Sequence, residues 1–278
     1  MHILSLTCED QKGIVAAVSG NIAKCNCNIE ESSQFNDPRS NQFYMRVVFS
    51  GEEKSIESFI DSFPHMAKEF NMHWEISNSK NPIKTLIMVS QYDHCLHHLL
   101  YQEQNDMLPI EITAIVSNHE TTRELAESFD IPFHYLPITK DNKAEQEDKL
   151  SEITKQTESE LIVLARYMQI LSEDFISNIN YRVINIHHSF LPGFKGARPY
   201  HQAYERGVKS IGATAHFVTA ELDEGPIITQ NVVPVNHKHT PEKMQALGRD
   251  TESQTLAEAI KEYAERRVFV HDRRTIIL

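Results

Sequence analysis

Two side chains that can act on a carbonyl group stand close together at Asn185 and His187. The stretch around them, RVINIHH at 182–188, has the apolar character of a strand. Residues i and i+2 of a strand face the same way, so the amide and the imidazole point together while Ile186 faces the core. An amide donor beside an imidazole can polarise a carbonyl and handle a proton. Taken alone, such a pair is more often structural.

The chain after this pair adds a loop, a second histidine and an aspartate. The loop at 188–199 is rich in Gly and Pro, which suits the lining of a pocket. An extended run at 211–218 then carries His216, and the turn at 221–226 carries Asp223. An aspartate before Gly-Pro is usually a turn former, yet it can also be held rigidly beside an imidazole. The combination favours catalysis, with His216 in a supporting position.

The elements that must position these residues alternate between strand and helix. Near-continuous apolar strands are predicted at 84–90, 110–117, 161–166 and 182–188, with helices between them, one of which begins at Ser172. This alternation indicates a Rossmann-like, mostly parallel sheet that is covered on both faces. Ligands of such sheets bind at the carboxyl ends of the strands. We therefore expect the site just after residues 90, 118, 166 and 188.

The first 80 residues have a different organisation. Their apolar spacing predicts the order strand, helix, strand, strand, helix, strand, which is the ferredoxin-like βαββαβ arrangement. Pro64 is expected to bend or break the second helix. A polar stretch at 77–82 is typical of a linker. We therefore predict two domains, at 1–80 and 84–278.

Composition excludes several classes of protein. The chain has 27 basic and 39 acidic residues among 278, a net charge of −12, and no basic stripe, so nucleic-acid binding is not expected. It contains no apolar run near the roughly twenty residues that cross a membrane, and its start lacks the pattern of a secretory signal. The four cysteines form no CxxC pair and indicate free thiols in a reducing, cytoplasmic location.

Long contiguous motifs in the second domain resemble the folate-dependent formyltransferase family. They are ARYMQIL at 165–171, SNHETTRELAESFDIPFHYLPITKD at 117–141, and the run that begins NIHHSFLPGFKGARP at Asn185 and ends at the Asp223 turn. Within that family the chain is most similar to the deformylases. The resemblance implies hydrolysis of 10-formyltetrahydrofolate to tetrahydrofolate and formate, with water as the formyl acceptor, in one-carbon metabolism and formate supply for purine synthesis.

The resemblance also assigns roles to particular residues. Asn185, His187 and Asp223 match the catalytic asparagine, histidine and aspartate of the family. The folate pocket is expected to consist of two segments, namely Tyr167, Met168, Gln169, Ile170 and Leu171, and Val218, Ala220 and Glu221. Lys195 and Arg198 either contact the glutamate tail of the folate or are solvated loop charges. No cofactor and no metal are expected, and a homo-oligomer is implied.

Two features favour a hydrolase over a transferase within this family. The segment after the first strand of the second domain, 90–96, has no glycine, so a phosphate cradle of backbone amides is not expected there. The first domain resembles an ACT domain, which deformylases carry, through DQKGI at 10–14 and NCNI at 26–29. That resemblance implies either an amino-acid effector site or a role limited to contacts between subunits, and both remain open.

Two other functions are compatible with parts of the sequence. A metallohydrolase could use His94 with His97 or His98, because these residues have helical spacing, but no acidic third ligand stands at a fixed distance. An amino-acid sensor with an inactive second domain would require a broken triad, whereas all three catalytic positions are filled. Release of formate from formyl-folate discriminates between a sensor and an enzyme.

Overall fold

The computed structural model describes residues 1–191, 193 and 199–278, which form two compact units. The first contains Met1–Asn81 with Glu265–Phe269 and Ile276–Leu278, and the second contains Pro82–Ala264 with Val270–Thr275. The predicted second domain extended to residue 278, so the structure differs from the prediction at the C-terminus.

Residues near the C-terminus join the first unit through specific contacts. The ring of Phe269 packs edge-on against that of Tyr44 at 5.6 Å, and the buried Arg46 donates from Nε to the carbonyl of Glu265 at 2.9 Å. The last fourteen or so residues therefore contribute to both units. Contacts this distant in sequence leave no local pattern that could have revealed them.

The first unit is a four-stranded antiparallel sheet with two helices. Its elements are β1 (His2–Glu9), α1 (Ile14–Lys24), β2 (Asn28–Asp37), β3 (Gln42–Ser50), α2 (Glu53–Glu69) and β4 (His73–Asn78), and the strands lie in the order β2-β3-β1-β4. The predicted βαββαβ order is confirmed. Pro64 lies inside α2, which continues past it. Burial of Phe59, Phe63 and Ala67 along one face of α2 offsets the backbone hydrogen bond that the proline cannot make.

The second unit is built around a seven-stranded sheet. Its strands are β5 (Ile83–Val89), β6 (Ile110–Ser117), β7 (Phe133–Tyr135), β8 (Leu161–Leu164), β9 (Arg182–His187), β10 (Ser210–Phe217) and β11 (Ile227–Pro234), in the spatial order β11-β10-β9-β8-β5-β6-β7. Five neighbouring strands, β9, β8, β5, β6 and β7, are parallel, while β10 and β11 are antiparallel to their neighbours. The predicted mostly parallel sheet is confirmed, and its central strands are buried on both faces.

The remaining elements are the helices of the second unit and a terminal hairpin that contributes residues to both units. They are α3 (His94–Gln104), α4 (Arg123–Ser128), α5 (Lys143–Gln156), α6 (Glu173–Asn178), α7 (Pro199–Glu205), α8 (Pro241–Ala264), β12 (Val268–His271) and β13 (Arg274–Ile277). The longest, α8, packs on β10 and β11 with a buried face of mostly small residues. None of the described helices is both long and apolar enough to cross a lipid bilayer.

The carboxyl ends of three parallel strands are joined by buried hydrogen bonds. Ser90, directly after β5, donates from Oγ to Oδ1 of Asn118, directly after β6, at 2.7 Å. The same Oγ accepts from the backbone N–H of Met168, in the segment after β8, at 3.0 Å. Buried polar groups require such partners. These bonds fix the loops at the edge of the sheet where the sequence predicted the site.

Ser172 anchors the far end of the segment that follows β8. Its Oγ accepts from the backbone N–H of Phe175 at 3.0 Å, which caps α6, and donates to the largely buried carboxylate of Glu147. We predict that Ser172→Ala lowers the free energy of unfolding by about 1–2 kcal/mol, because it removes the cap and one partner of Glu147. Urea unfolding measures this change. The matched control is Ser177→Ala, exposed on the same helix; equal midpoints for the two variants would contradict the role of Ser172.

Candidate active site

Asn185 and His187 lie at the carboxyl end of β9, on the same face of the strand. The antiparallel register of β9 and β10 places His216 directly opposite Asn185. Asn185 Nδ2 lies 3.2 Å from His216 Nε2. The strand pairing therefore brings the predicted supporting histidine into contact with the predicted amide donor.

Asp223 reaches the same place from the turn that follows β10. Asp223 has a φ of +57°, in the left-handed region, and Val218 N donates to Val183 O at 2.8 Å. A Cβ on Gly225 would stand 1.8 Å from the carbonyl oxygen of Phe217, so only glycine permits this close approach. The folded turn brings Asp223 Oδ2 to 3.4 Å from His187 Nδ1. Its other oxygen, Oδ1, lies 3.7 Å from His216 Nε2.

The contacts of His216 define its tautomer. Its Nδ1 lies 2.8 Å from the carbonyl oxygen of Phe217, which can only accept, so Nδ1 carries the hydrogen. Burial lowers the pKa of His216, so the ring is neutral at neutral pH and its Nε2 is an acceptor. Asn185 must therefore turn its Nδ2 towards His216. The second hydrogen of that amide remains available to a ligand.

The His187–Asp223 pair is arranged for proton handling. The contact with His187 lowers the pKa of the Asp223 carboxyl, against the opposing effect of burial, so the carboxylate is ionised at neutral pH. Asp223 lies on the Nδ1 side of the imidazole. The other nitrogen, Nε2, is buried and has no hydrogen-bond partner among the described residues. An unpaired buried nitrogen is costly, and a ligand oxygen would satisfy it.

A cavity of about 280 Å³ contains these groups. Its lining includes the catalytic candidates and most of the predicted folate-binding residues: Asn185, His187, His216, Asp223, Tyr167, Met168, Gln169, Ile170, Leu171, Val218 and Ala220. Glu221 does not line it, and its exposed carboxylate accepts from Arg273 Nη2 at 3.0 Å. Lys195 and Arg198 lie outside the described residues. A wider groove of about 1000 Å³ runs along α5 and α6, but none of the catalytic candidates lines it.

Sequence reasoning missed several residues of the cavity and of the layer behind it. Leu164, Arg166, His188, Thr219 and Leu222 also line the cavity. Behind Arg166 lies the fully buried Glu252 of α8. The sequence signal for Glu252 was its place in a helical run of small and apolar residues, four positions before Leu256 and so on the same face of the helix.

The suggested histidine metal site is not assembled. His98 Nε2 bonds to Gln102 at 2.9 Å, and the exposed His97 lies 3.6 Å from Asp93. The ligand atoms of His94, Cys95 and Glu252 do lie within 4.8 Å of one another. However, burial and the nearby Glu252 raise the pKa of the Cys95 thiol, which disfavours the thiolate that a metal would need. Glu252 also already pairs with Arg166 and accepts from Tyr200. These residues do not fit a divalent cation.

Comparison with known proteins identifies relatives along the whole chain. Residues 83–260 match the family model described as formyl transferase. A formyltetrahydrofolate deformylase of Corynebacterium sp. is 45% identical over 100% of this chain and 98% of its own, and that of Bacillus subtilis is 46% identical over 99% and 92%. The crystal structure of formyltetrahydrofolate deformylase from Burkholderia mallei is similar with a TM-score of 0.95 and 46% identity, covering 100% of this chain and 99% of the other.

The His216 tautomer can be tested directly. We predict that ¹⁵N NMR at pH 7 shows the His216 imidazole neutral, with its hydrogen on Nδ1, because burial disfavours the charged form and Phe217 O accepts that hydrogen. On acidification the ring should protonate only below its ordinary pKa of 6.5. Loss of the signal in His216→Gln provides the assignment. A charged ring or an Nε2–H tautomer at pH 7 would be inconsistent with an Asn185 amide that turns its Nδ2 towards His216.

Proposed function

We propose, from the premise that the chain belongs to the formyl transferase family, that it hydrolyses 10-formyltetrahydrofolate to tetrahydrofolate and formate. The observation that carries this function is the convergence of an amide, an imidazole and a carboxylate on one cavity at the carboxyl edge of the sheet. The deformylases to which the chain is similar cover both of its units. The chain is therefore a hydrolase of one-carbon metabolism.

The geometry supports a different role for each of the three side chains at the formyl group. Asn185 donates the free hydrogen of Nδ2 to the formyl oxygen, and His187, in its protonated form, donates from Nε2 as charge develops on that oxygen. Asp223 holds His187 from the Nδ1 side and compensates its positive charge. Both donors act most strongly on the oxyanion, so they stabilise the transition state more than the substrate.

Water completes the reaction. Its oxygen forms a bond to the formyl carbon, and the carbonyl electron pair moves to the oxygen held by Asn185 and His187. A proton from the water passes by way of Asp223 to the folate nitrogen, whose bond to carbon then breaks. The products are tetrahydrofolate and formic acid, which ionises to formate.

The folate is proposed to lie against the segment 167–171 and the turn after β10. Tyr167 and Leu171 are buried, while Met168 and Ile170 are 54% and 59% exposed and offer apolar surface at the rim. Ligand sites of this kind are mostly apolar with a few placed polar groups. The pterin ring would take hydrogen bonds from main-chain groups of these two segments.

We propose further that the first unit is an ACT-like regulatory domain, with either an amino-acid effector site or a role limited to contacts between subunits, and that the chain is a homo-oligomer. The βαββαβ order and Gly13, whose φ of +100° forms the turn into α1, support the first point. Four unpaired thiols support a cytoplasmic location. No cofactor is assigned a role, since the substrate itself carries the formyl group.

Loss of the oxyanion donor should reduce turnover without unfolding the protein. We predict that Asn185→Ala lowers formate release by about 10²–10³-fold, the effect of removing one such donor. Asp223→Asn should be at least as damaging, because an amide cannot accept the proton. Formate and tetrahydrofolate are measured with water as the only acceptor.

The matched control for this experiment is Asn180→Ala, at an exposed asparagine, which should leave turnover unchanged. Near-normal turnover of Asn185→Ala would remove the amide from the mechanism. No formate release by the unaltered protein would refute the proposed function itself.

Metal removal should have no effect on turnover. We predict that dialysis against a chelator leaves formate release unchanged, because the amide and imidazole donors supply the charge stabilisation that a Lewis acid would otherwise give. Activity is measured before and after dialysis, and again after addition of Zn²⁺. A loss on dialysis that is restored by the metal would show that a cation takes part.

A further inference from the structure

One wall of the catalytic cavity consists of Arg166 and His188, which belong neither to the proposed folate segments nor to the catalytic trio. Arg166 follows β8 with a φ of +65°, a left-handed conformation that arginine rarely adopts. Burial, with the nearby Arg166 and His187, lowers the pKa of His188 to about 4, so this ring is neutral. The wall thus carries one positive charge, on Arg166.

Arg166 is held from behind by Glu252. Its Nε lies 3.3 Å from Glu252 Oε2 in an ion pair that lacks hydrogen-bond geometry, and the side chains of the two residues are only 10% and 2% exposed. His94 Nε2 lies 2.8 Å from the same oxygen, and Tyr200 donates to Oε1 at 2.7 Å. Burial opposes the charge on Glu252, yet these three neighbours together lower its pKa. Glu252 is therefore a buried carboxylate with three partners, and its charge holds Arg166 close to it.

The aromatic ring of Tyr92 confines the guanidinium further. The Arg166 guanidinium carbon lies 5.5 Å from the centroid of that ring, within the range of a cation–π contact. Arg249 lies over the same ring at 5.3 Å but is exposed and does not line the cavity. Arg166 therefore has little freedom to move aside when a ligand enters.

The volume of the cavity limits what can reach the formyl carbon. Pockets for a single organic ligand usually measure about 300–1000 Å³. This cavity, at about 280 Å³, lies just below that range. A second organic substrate would have to share this space with Arg166 and His188, which line the same cavity as Asn185 and His187.

We infer that Arg166, held in place by Glu252, is the specificity-determining residue that keeps the acceptor side of the site for water by excluding amines. This inference rests on the proposed function. Hydrolysis forms a C–O bond, breaks the C–N bond and yields formate, tetrahydrofolate and a proton. The excluded reaction forms a C–N bond from a neutral amine to the formyl carbon, breaks the C–N bond to the folate and passes one amine proton to the folate nitrogen, so it yields a formamide and tetrahydrofolate.

Replacement of Arg166 by glycine tests the inference. Glycine suits a φ of +65°, and Glu252 keeps His94 and Tyr200 as partners, so Arg166→Gly should fold. The protein is incubated with 10-formyltetrahydrofolate and the small primary amine glycinamide, and formate and N-formylglycinamide are quantified by mass spectrometry. We expect the ratio of formamide to formate to rise at least ~10-fold, since one decade corresponds to about 1.4 kcal/mol of discrimination. A merely structural role would lower both products without changing their ratio.

Two further variants sharpen the comparison. Arg249→Ala removes the other guanidinium over Tyr92 and should leave the ratio unchanged. Glu252→Gln keeps the shape of the side chain but removes the charge that holds Arg166, so the ratio of formamide to formate should rise as well. This variant tests the inference even if Arg166→Gly does not fold. If Arg166→Gly and Glu252→Gln, or whichever of the two folds, leave the ratio of formamide to formate unchanged, the inference is overturned. Failure of the unaltered protein to release formate would instead count against the proposed function.

Discussion

The contact between His187 and Asp223 is the interaction on which the rest of the site depends. The imidazole stands at the end of β9, whereas the carboxylate comes from a turn beyond the next strand, and they meet at 3.4 Å only because that turn folds back. This reversal of the chain after β10 requires a glycine at 225 and a left-handed backbone at Asp223. Strain of this kind is typical of functional sites, where the surrounding structure imposes it.

Two layers of polar contacts hold the reacting groups in position. His216 fixes the Asn185 amide from the neighbouring strand, and Asp223 fixes His187. Farther back, Glu252 holds Arg166 at the wall of the cavity. The buried charges and polar groups of these layers are costly to desolvate, and their mutual pairing offsets that cost. The site is therefore largely preorganised before the substrate binds, which is the condition for electrostatic catalysis.

Most of the residues that meet at the candidate site could be predicted from the sequence. Continuous apolar runs located four of the five parallel strands to within two residues, since a strand that is buried on both faces leaves a strong local signal. Period-two spacing placed Asn185 and His187 on one face. Asp223 needed the family resemblance as well, because a Gly-Pro turn by itself indicates only a reversal of the chain. The resemblance also named Glu221, whose side chain instead pairs with Arg273.

Other features left too little signal along the chain. Neither α8 nor β11 was predicted, because α8 buries small and polar residues such as Thr251 and Ser253 and β11 is half exposed. The partnership of Arg166 with Glu252 joins residues that are distant in sequence, as do the contacts of Glu265 and Phe269 with the first unit. Such pairs follow from the assembled fold and cannot be read from local spacing.

In the proposed mechanism, three side chains surround a single formyl carbon. A crystal structure of the protein with a stable analogue of 10-formyltetrahydrofolate tests this arrangement most directly. We expect the formyl oxygen within hydrogen-bond distance of both Asn185 Nδ2 and His187 Nε2, with Asp223 still against the imidazole and the ring system beside residues 167–171. A formyl group bound away from Asn185 and His187, or an analogue bound outside the cavity, would contradict it.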